Sequence, residues 1–182
     1  LSGMMNPKSM EEADAFMEFI SKGTNLISED MHFNIGGDHE FTFSVEGWPD
    51  LFIIYPYIIS CMPECLKGKW KFFPFNPGKV GSFAYRVHDT DVDMGKIMVK
   101  ASYDEKRENF NIRYYDKNLC ALPEENSDGN FHVILELVLG EGVSFKYVNG
   151  IERASGIEEG MIALSGLRPV SYTHLRAHET KA

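Results

Sequence analysis

Hydrophobic residues recur with a helical period near the start of the chain and with an alternating period soon after it. The helical stripe has apolar residues at i, i+3, i+4 and i+7: Ala13, Phe16, Met17 and Ile20. Ser9 and Glu12 have the spacing of a capping box, and Gly23 is placed to end the helix in the left-handed conformation. Two alternating stretches follow: Met31, Phe33 and Ile35, then Phe41, Phe43 and Val45. The turn Gly36–His39 between them completes the pattern of a β-hairpin.

An apolar segment, Leu51–Met62, predicts a helix after the hairpin. We expect Asp50 to cap this helix. Pro56 is expected to delay its start or to kink it, because proline removes a helical hydrogen bond. Trp70–Phe75 then predicts a strongly apolar strand.

The second half of the chain repeats this order. Alternating residues predict a second hairpin: Ile97, Val99, Ala101 and Tyr103, then Phe110, Ile112 and Tyr114. One helical face follows, with Gly140 as its terminator: Phe131, Ile134, Leu135, Val138 and Leu139. Phe145 and Tyr147 are expected to begin another strand. Two β-β-α-β units can pool their strands, so the predicted fold is α+β: one mostly antiparallel sheet with helices packed on one face, preceded by an N-terminal helix.

Two segments outside these units have weaker patterns. Ser82–Val87 predicts an added strand between the halves. Ile157–Arg168 is expected to be irregular and to lie over the sheet.

The last thirteen residues, Val170–Ala182, differ in kind from the rest of the chain. Val170–Thr180 resembles, residue for residue, one translated reading frame of a transposase-type sequencing adapter. A segment of this kind is excluded from fold reasoning, and the spacing of His174 and His178 is therefore not interpreted as a metal site. We expect residues 1–8 to be a disordered or upstream leader, 9–169 a single α+β domain, and 170–182 an exposed, adapter-derived tail.

Composition indicates a folded, acidic protein. The residues are 43% hydrophobic and 13% aromatic, which argues against disorder. A formal net charge of −9 repels phosphate backbones, so we expect no nucleic-acid partner, whereas a basic or neutral protein partner is compatible. The three cysteines have no paired spacing and are expected to be buried or half-buried free thiols in a reducing compartment. No apolar run reaches the roughly 20 residues that span a bilayer, so we expect a cytoplasmic protein without membrane association.

Asp89, Asp91 and Asp93 form the most suggestive polar cluster. Carboxylates at alternate positions begin a calcium-binding loop, which then requires a glycine and, at its end, a bidentate glutamate. Met94 and Lys100 occupy those two positions here. We therefore expect a solvated acidic turn between strands, with no metal and no other cofactor. The alternative is a metal-dependent enzyme built on the three aspartates.

No catalytic residue is predicted. His88 has the carboxylate neighbour that a general base requires, but no serine or cysteine stands in a nucleophile motif, so an exposed loop histidine is expected. Trp48 is a candidate for an exposed, partner-binding side chain, whereas Trp70 is expected in the core. Three tyrosines are candidates for a ligand-binding sheet face: Tyr103, Tyr114 and Tyr115.

Several short motifs resemble a group of bacterial proteins described as domains of unknown function. The features are the strand Phe41–Gly47, the prolines Pro56 and Pro63, and the step from Trp70-Lys71 to Phe75-Asn76-Pro77. In that group a helix ending in Ala-Pro-x-Leu leads to a Trp-Lys strand; the matching stretch here, Met62–Leu66, lacks the alanine. The resemblance implies a bacterial, cytoplasmic α+β domain and carries no functional residue over.

These observations favour a non-enzymatic binding or interaction domain, such as a regulator or an immunity-like protein that neutralises a basic partner. The acidic balance, the small size and the lack of clustered catalytic residues support this expectation. The metal-dependent enzyme using the aspartate cluster is the runner-up.

Overall fold

A computed structural model describes residues 10–36, 39–79, 84–87 and 90–167. The chain divides into two compact units, Leu1–Phe75 (unit 1) and Asn76–Ala182 (unit 2). The single domain predicted over residues 9–169 includes both units. That the two units form one domain stays a prediction. The expected leader and the adapter-like tail, with His174 and His178, lie outside the described residues. Within the described ranges, no helix combines the length and the apolar character that crossing a membrane requires.

The described residues of unit 1 form three helices and a three-stranded sheet. In chain order the elements are α1 (Met10–Asn25), β1 (His32–Gly36), β2 (Glu40–Ser44), α2 (Leu51–Ser60), α3 (Glu64–Lys67) and β3 (Lys71–Phe73). The sheet order is β1-β2-β3, with β1 antiparallel to β2 and β3 parallel to it. The predicted hairpin is confirmed, and Ile35 faces Phe41 across it.

Two predicted helix signals in unit 1 are wrong. Helix α1 continues past Gly23 to Asn25, where the carbonyl of Thr24 accepts hydrogen bonds from the backbone N–H groups of Ile27 and Ser28. Asp50 does not cap α2 with its side chain, because its own backbone is already helical (φ −64°, ψ −31°). A capping residue needs an extended backbone for its side chain to reach the next amides. Helix α2 starts at Leu51 and runs through Pro56.

The described residues of unit 2 form two α-helices and two sheets. In chain order the elements are β4 (Ala84–Val87), β5 (Thr90–Asp93), β6 (Met98–Asp104), β7 (Asn109–Tyr115), α4 (Glu124–Leu139), α5 (Glu141–Tyr147), β8 (Val148–Arg153) and β9 (Ile162–Ala163). Strands β4 and β5 form a two-stranded ladder, and the larger sheet has the order β8-β7-β6-β9. The predicted α4 face is confirmed, because all five of its apolar residues are buried. Gly140, at φ +93°, ends the helix as expected.

The strand predicted at Phe145 and Tyr147 is wrong, because both residues belong to α5 and the strand begins at Val148. Val143 and Tyr147, four residues apart, pack against the core of unit 2. A short apolar stretch fits the helical and the alternating period equally well, so periodicity alone could not separate the two. Ile162–Ala163 was expected to be irregular, but it pairs with β6 as the edge strand β9.

The α+β class is confirmed, but the single pooled sheet is wrong. The described residues contain a three-stranded sheet in unit 1 and a four-stranded sheet in unit 2, besides the small β4-β5 ladder. In each unit the strand after the helices pairs in parallel with the second hairpin strand, β3 with β2 and β8 with β7. In each unit this parallel pairing covers the free edge of the second hairpin strand.

Candidate ligand-binding site

Unit 1 contains an apolar cavity of ≈ 690 Å³. Its walls come from α1 and the loop that follows it, from α2 and α3, and from strands β2 and β3. Ligand pockets in proteins have volumes of ≈ 300–1,000 Å³. The cavity is therefore large enough to hold a small molecule.

Aromatic side chains form the floor of the cavity. Phe41 and Phe43 lie on one face of β2 because successive side chains of a strand point to opposite faces, and their ring centroids are 5.0 Å apart. Phe72 is the register partner of Phe41 in the parallel pair, with the two ring centroids 5.9 Å apart. Trp70, just before β3, completes this surface and is buried, as predicted for a core tryptophan.

Tyr55 fixes the helix α2 to the hairpin behind the cavity. Its ring stacks on Phe43 at a centroid distance of 4.5 Å. Its hydroxyl group donates a hydrogen bond to the carbonyl of Ser44 (3.0 Å) and accepts one from the N–H of His32 (3.2 Å). The side chain is fully buried. This fixed helix presents Ile58 to the cavity.

Helix α1 forms the opposite wall. Phe16, Phe19, Ile20 and Gly23 line the cavity at helical spacings of three and four residues. Of the α1 side chains that the structure describes, only Phe16 is buried. The apolar stripe of α1 is thus only partly packed: Phe16 is buried and Ile20 packs against the core of unit 1, whereas Phe19 is exposed at the cavity.

The mouth of the cavity is also apolar. Phe19, Leu26 and Ile27 line the cavity and are 55%, 89% and 56% exposed. Single exposed apolar side chains are ordinary, but a cluster at the rim of a concave surface is typical of binding sites. The apolar stripe predicted for α1 was therefore only part of the sequence signal for this site. The rest is the apolar pair Leu26-Ile27, which lies in an exposed loop and not in the core.

Charged and hydroxyl-bearing side chains are few in the cavity wall and lie at the C-terminal end of α1. Within the described residues, Lys22 is the only charged side chain in the cavity wall and Thr24 carries the only hydroxyl group. Thr24 donates a hydrogen bond to the carbonyl of Ser21 (3.0 Å). The ammonium group of Lys22 lies 2.7 Å from the carboxylate of Glu18, one helical turn away. This hydrogen bond and the positive charge hold the pKa of Glu18 below its ordinary value.

The aspartate cluster takes a different form from the predicted acidic turn. Asp91 and Asp93 lie in strand β5, so the turn is wrong for these two residues, and Asp89 lies outside the described residues, as does His88. Arg86, the cross-strand partner of Asp91, donates two hydrogen bonds to its carboxylate, at 2.8 and 3.1 Å, and lowers its pKa. The carboxylate of Asp93 accepts a hydrogen bond from the N–H of Gly95 (2.9 Å).

No metal centre emerges from the part of the chain that the structure describes. Groups of three or more histidine, cysteine, aspartate or glutamate residues able to hold an ion are absent from it. The two aspartates of β5 that are described each have a cation nearby, Arg86 for Asp91 and Lys96, at 3.6 Å, for Asp93.

The predicted tyrosine face is wrong. Tyr114 is fully buried and stacks on Phe131 of α4 with a centroid distance of 3.9 Å, so no ligand can reach it. Its hydroxyl group hydrogen-bonds to Ser127 (2.7 Å) and Asp128 (2.6 Å). Burial first, and the hydrogen bond to Asp128 second, raise the pKa of Tyr114.

The other two tyrosines do not join it on an open surface. Tyr115 follows Tyr114 on β7 and therefore faces the opposite side of the sheet, half-buried. Tyr103 packs on Phe110, with ring centroids 4.9 Å apart, at the border of the core. The three tyrosine side chains thus lie in different environments and do not form one surface.

Trp48 is 52% exposed, which leaves it available to a partner. Its role in binding stays a prediction. Two cysteines depart from expectation, because Cys61 and Cys65 are exposed, whereas Cys120 is half-buried. Cys61 directly follows α2 and Cys65 lies in the short helix α3, and both positions are at the surface and not in the core.

The comparisons with known proteins give no match to a protein-family model, to a curated protein or to a solved structure. The resemblance to a bacterial family of unknown function therefore stays a prediction, as does the origin of the C-terminal tail.

Proposed function

We propose that this chain is a non-enzymatic binding domain whose unit 1 takes a small apolar ligand in its cavity. The observation that carries this proposal is the combination of an apolar floor, the aromatic surface around Phe41 and Trp70, with an apolar mouth. Burying a methylene group contributes about 0.8 kcal/mol, so a ligand of modest size gains useful affinity from such walls. In a bacterial cytoplasmic protein, this activity suits a ligand-responsive regulator.

The apolar interior of the cavity is an unfavourable environment for water. A water molecule accounts for about 30 Å³ of liquid and needs two to four polar partners when it is enclosed. The floor offers aromatic rings, and the polar groups of Lys22 and Thr24 lie at one end of α1. A ligand that replaces such water with carbon therefore binds favourably.

The first experiment titrates the protein with Nile red, a neutral dye whose emission rises and shifts to the blue in apolar surroundings. We expect saturable, one-site binding. Ile58→Trp should block the cavity and reduce dye affinity at least about tenfold, since the added ring occupies space that the dye needs.

Ile53→Trp is the matched control. Ile53 belongs to the same helix as Ile58 but is 80% exposed and does not line the cavity. We expect this variant to bind the dye like the unmodified protein. Equal dye affinity for both tryptophan variants, with both folded by near-UV circular dichroism, would place the dye elsewhere and remove the proposal.

A second candidate function, binding of a protein partner, is supported by a different surface of unit 1. Ile53 and Tyr57 lie one turn apart on the exposed face of α2, and the exposed Trp48 lies shortly before the helix. Aromatic side chains of this kind are frequent anchors at interfaces. The net charge of −9 favours a basic partner, as for an immunity-like protein.

Variants of the cavity and of the exposed surface separate the two candidate functions. Ile53→Trp alters the exposed face of α2 and leaves the cavity open, whereas Ile58→Trp does the reverse. Loss of dye binding in the Ile58 variant alone supports the small-ligand function. A basic partner captured by the unmodified protein and by Ile58→Trp, but not by a Trp48→Ala/Tyr57→Ala variant, supports the protein-partner function.

A further inference from the structure

The cavity has a polar end and an apolar interior. Within the described residues, Lys22 and Thr24 are the only wall residues with a charge or a hydroxyl group, and both belong to the last turns of α1. The remaining wall side chains are aromatic, aliphatic or thioether groups. A buried polar group without a hydrogen-bond partner is costly, so a polar group on the ligand is favoured beside Lys22 or in solvent at the mouth, and not in the apolar interior.

The present partner of Lys22 can be exchanged. The Lys22–Glu18 pair is confined to one helix, and its side chains are 74% and 66% exposed. Exposed ion pairs contribute little to stability. The lowered pKa of Glu18 shows that the ammonium group favours a carboxylate over a carboxylic acid at this position. A carboxylate brought by a ligand can therefore take the place of Glu18.

We propose that the ligand is a single-chain amphiphile with a carboxylate head group, its hydrocarbon chain lying in the cavity and its head group bound by Lys22. This proposal rests on the proposed function and adds the chemical class of the ligand. The charge complementarity is local, because the excess of acidic residues over the whole chain acts through solvent and is screened within about 10 Å.

The chain and the head group have different roles in this arrangement. Each methylene group that enters the cavity should raise affinity by about fourfold until the space is full. An exposed ion pair adds a factor of only about two to five. The negative end of the α1 dipole, at the helix C-terminus, opposes an anion and keeps the head-group factor in this range. The hydrocarbon chain thus supplies affinity, and Lys22 selects among head groups.

The test measures displacement of Nile red by straight-chain carboxylates from octanoate to hexadecanoate and by the alcohols of equal length, below their critical micelle concentrations. We expect the carboxylate of each length to bind about two- to fivefold more tightly than the alcohol. Lys22→Gln should remove this preference. Glu18→Gln, which removes the competing carboxylate, should increase it. Neither substitution should change binding of the alcohols.

Lys71→Gln is the matched control. It removes the same charge from unit 1, and Lys71 also has an exposed carboxylate partner, Glu40 at 3.2 Å, but it does not line the cavity. We expect this variant to keep the preference for carboxylates. A loss as large as that of Lys22→Gln would show a general effect of net charge and overturn the assignment of Lys22.

The outcomes distinguish this inference from the proposed function. Equal affinity for acids and alcohols, unchanged by Lys22→Gln, overturns the head-group assignment while binding in the cavity stands. Failure of the dye and of every chain to bind overturns both. Affinity that rises with chain length, together with a preference for acids that depends on Lys22, supports both.

Discussion

The hydroxyl group of Tyr55 on α2 donates a hydrogen bond to the carbonyl of Ser44 at 3.0 Å, at the end of the hairpin strand β2. The two residues are eleven positions apart in the chain, and the bond joins the helix to the strand that supplies the cavity floor. Since Tyr55 also stacks on Phe43, one buried side chain orients the helix and the floor together.

Tyr55→Phe should destabilise the protein by about 1–3 kcal/mol, because it removes two hydrogen bonds from a buried site and keeps the ring stack. Denaturant unfolding measures the loss. Tyr57→Phe, on the exposed face of the same helix, is the control and should change stability by less than about 0.5 kcal/mol. Similar losses in both variants would mean that the hydroxyl of Tyr55 does not join α2 to the hairpin.

Tyr114→Phe should remove a pH-dependent part of the stability. The pKa of Tyr114 is raised in the folded protein, so the folded state holds its phenolic proton more tightly than the unfolded state. That contribution is complete below the unfolded pKa of about 10 and is lost as the pH rises above it. We expect the unmodified protein to lose stability above about pH 10 more steeply than the phenylalanine variant.

The measurement is the free energy of unfolding at a series of alkaline pH values. Tyr115→Phe is the control, because Tyr115 is the next residue on β7 and faces the other side of the sheet. Parallel pH curves for the unmodified protein and Tyr114→Phe would contradict the expected linkage. At neutral pH, Tyr114→Phe should cost about 1–3 kcal/mol through its lost hydrogen bonds.

The elements that could be predicted from sequence are those whose periodicity is long and unambiguous. The hairpin around Ile35 and Phe41, and the buried face of α4, have enough repeats to separate period two from the helical period. The short stretch at Phe145 and Tyr147 has too few repeats to separate the two periods. Which strands pair with each other could not be predicted from the sequence for another reason. The parallel pairing of β3 with β2 and of β8 with β7 joins segments that are distant in sequence, and no local pattern specifies it.

The candidate site was not predicted from the sequence, because a cavity forms where side chains fail to contact each other, and the sequence pattern does not show which contacts are absent. Residues such as Phe16 and Ile20 have the pattern of an ordinary core, and only their position opposite the sheet shows that the core between them is incomplete. Leu26 and Ile27 gave a weak signal as apolar residues in a loop. Tyr114 shows the converse, because its aromatic character suggested a ligand surface, whereas its alternation with Ile112 and Phe110 placed it in the core.

Two glycine substitutions in unit 2 should have opposite effects on stability. Gly78 has φ +73°, and a Cβ atom there would lie 2.6 Å from the backbone nitrogen of Gly140. Gly78→Ala should therefore cost at least about 1–3 kcal/mol. Gly129, inside α4, has no atom within 4 Å of the added Cβ, and Gly129→Ala should stabilise the protein by about 0.5–1 kcal/mol. Thermal unfolding of both variants checks the two signs, and a neutral Gly78→Ala would contradict the close approach of the two chain segments.

Binding of a ligand should order helix α1. Phe16 is the only buried one among the α1 side chains that the structure describes, so this helix has little packing beside the cavity. Regions with few buried apolar contacts open locally at low free energy. If only the closed form binds, free Nile red at about 10 times its dissociation constant slows opening about tenfold.

Hydrogen exchange of the backbone amides, followed by mass spectrometry of peptides, measures this effect. We expect slower exchange over α1 when the dye is bound, and a much smaller change over α4, which has its own fully packed face in unit 2. Ile58→Trp places a ring in the cavity from the α2 side and should protect α1 in part without any ligand, since the new ring adds contacts across the cavity. If neither the dye nor the tryptophan substitution changes the exchange rate of the α1 amides, interactions other than those across the cavity hold this helix.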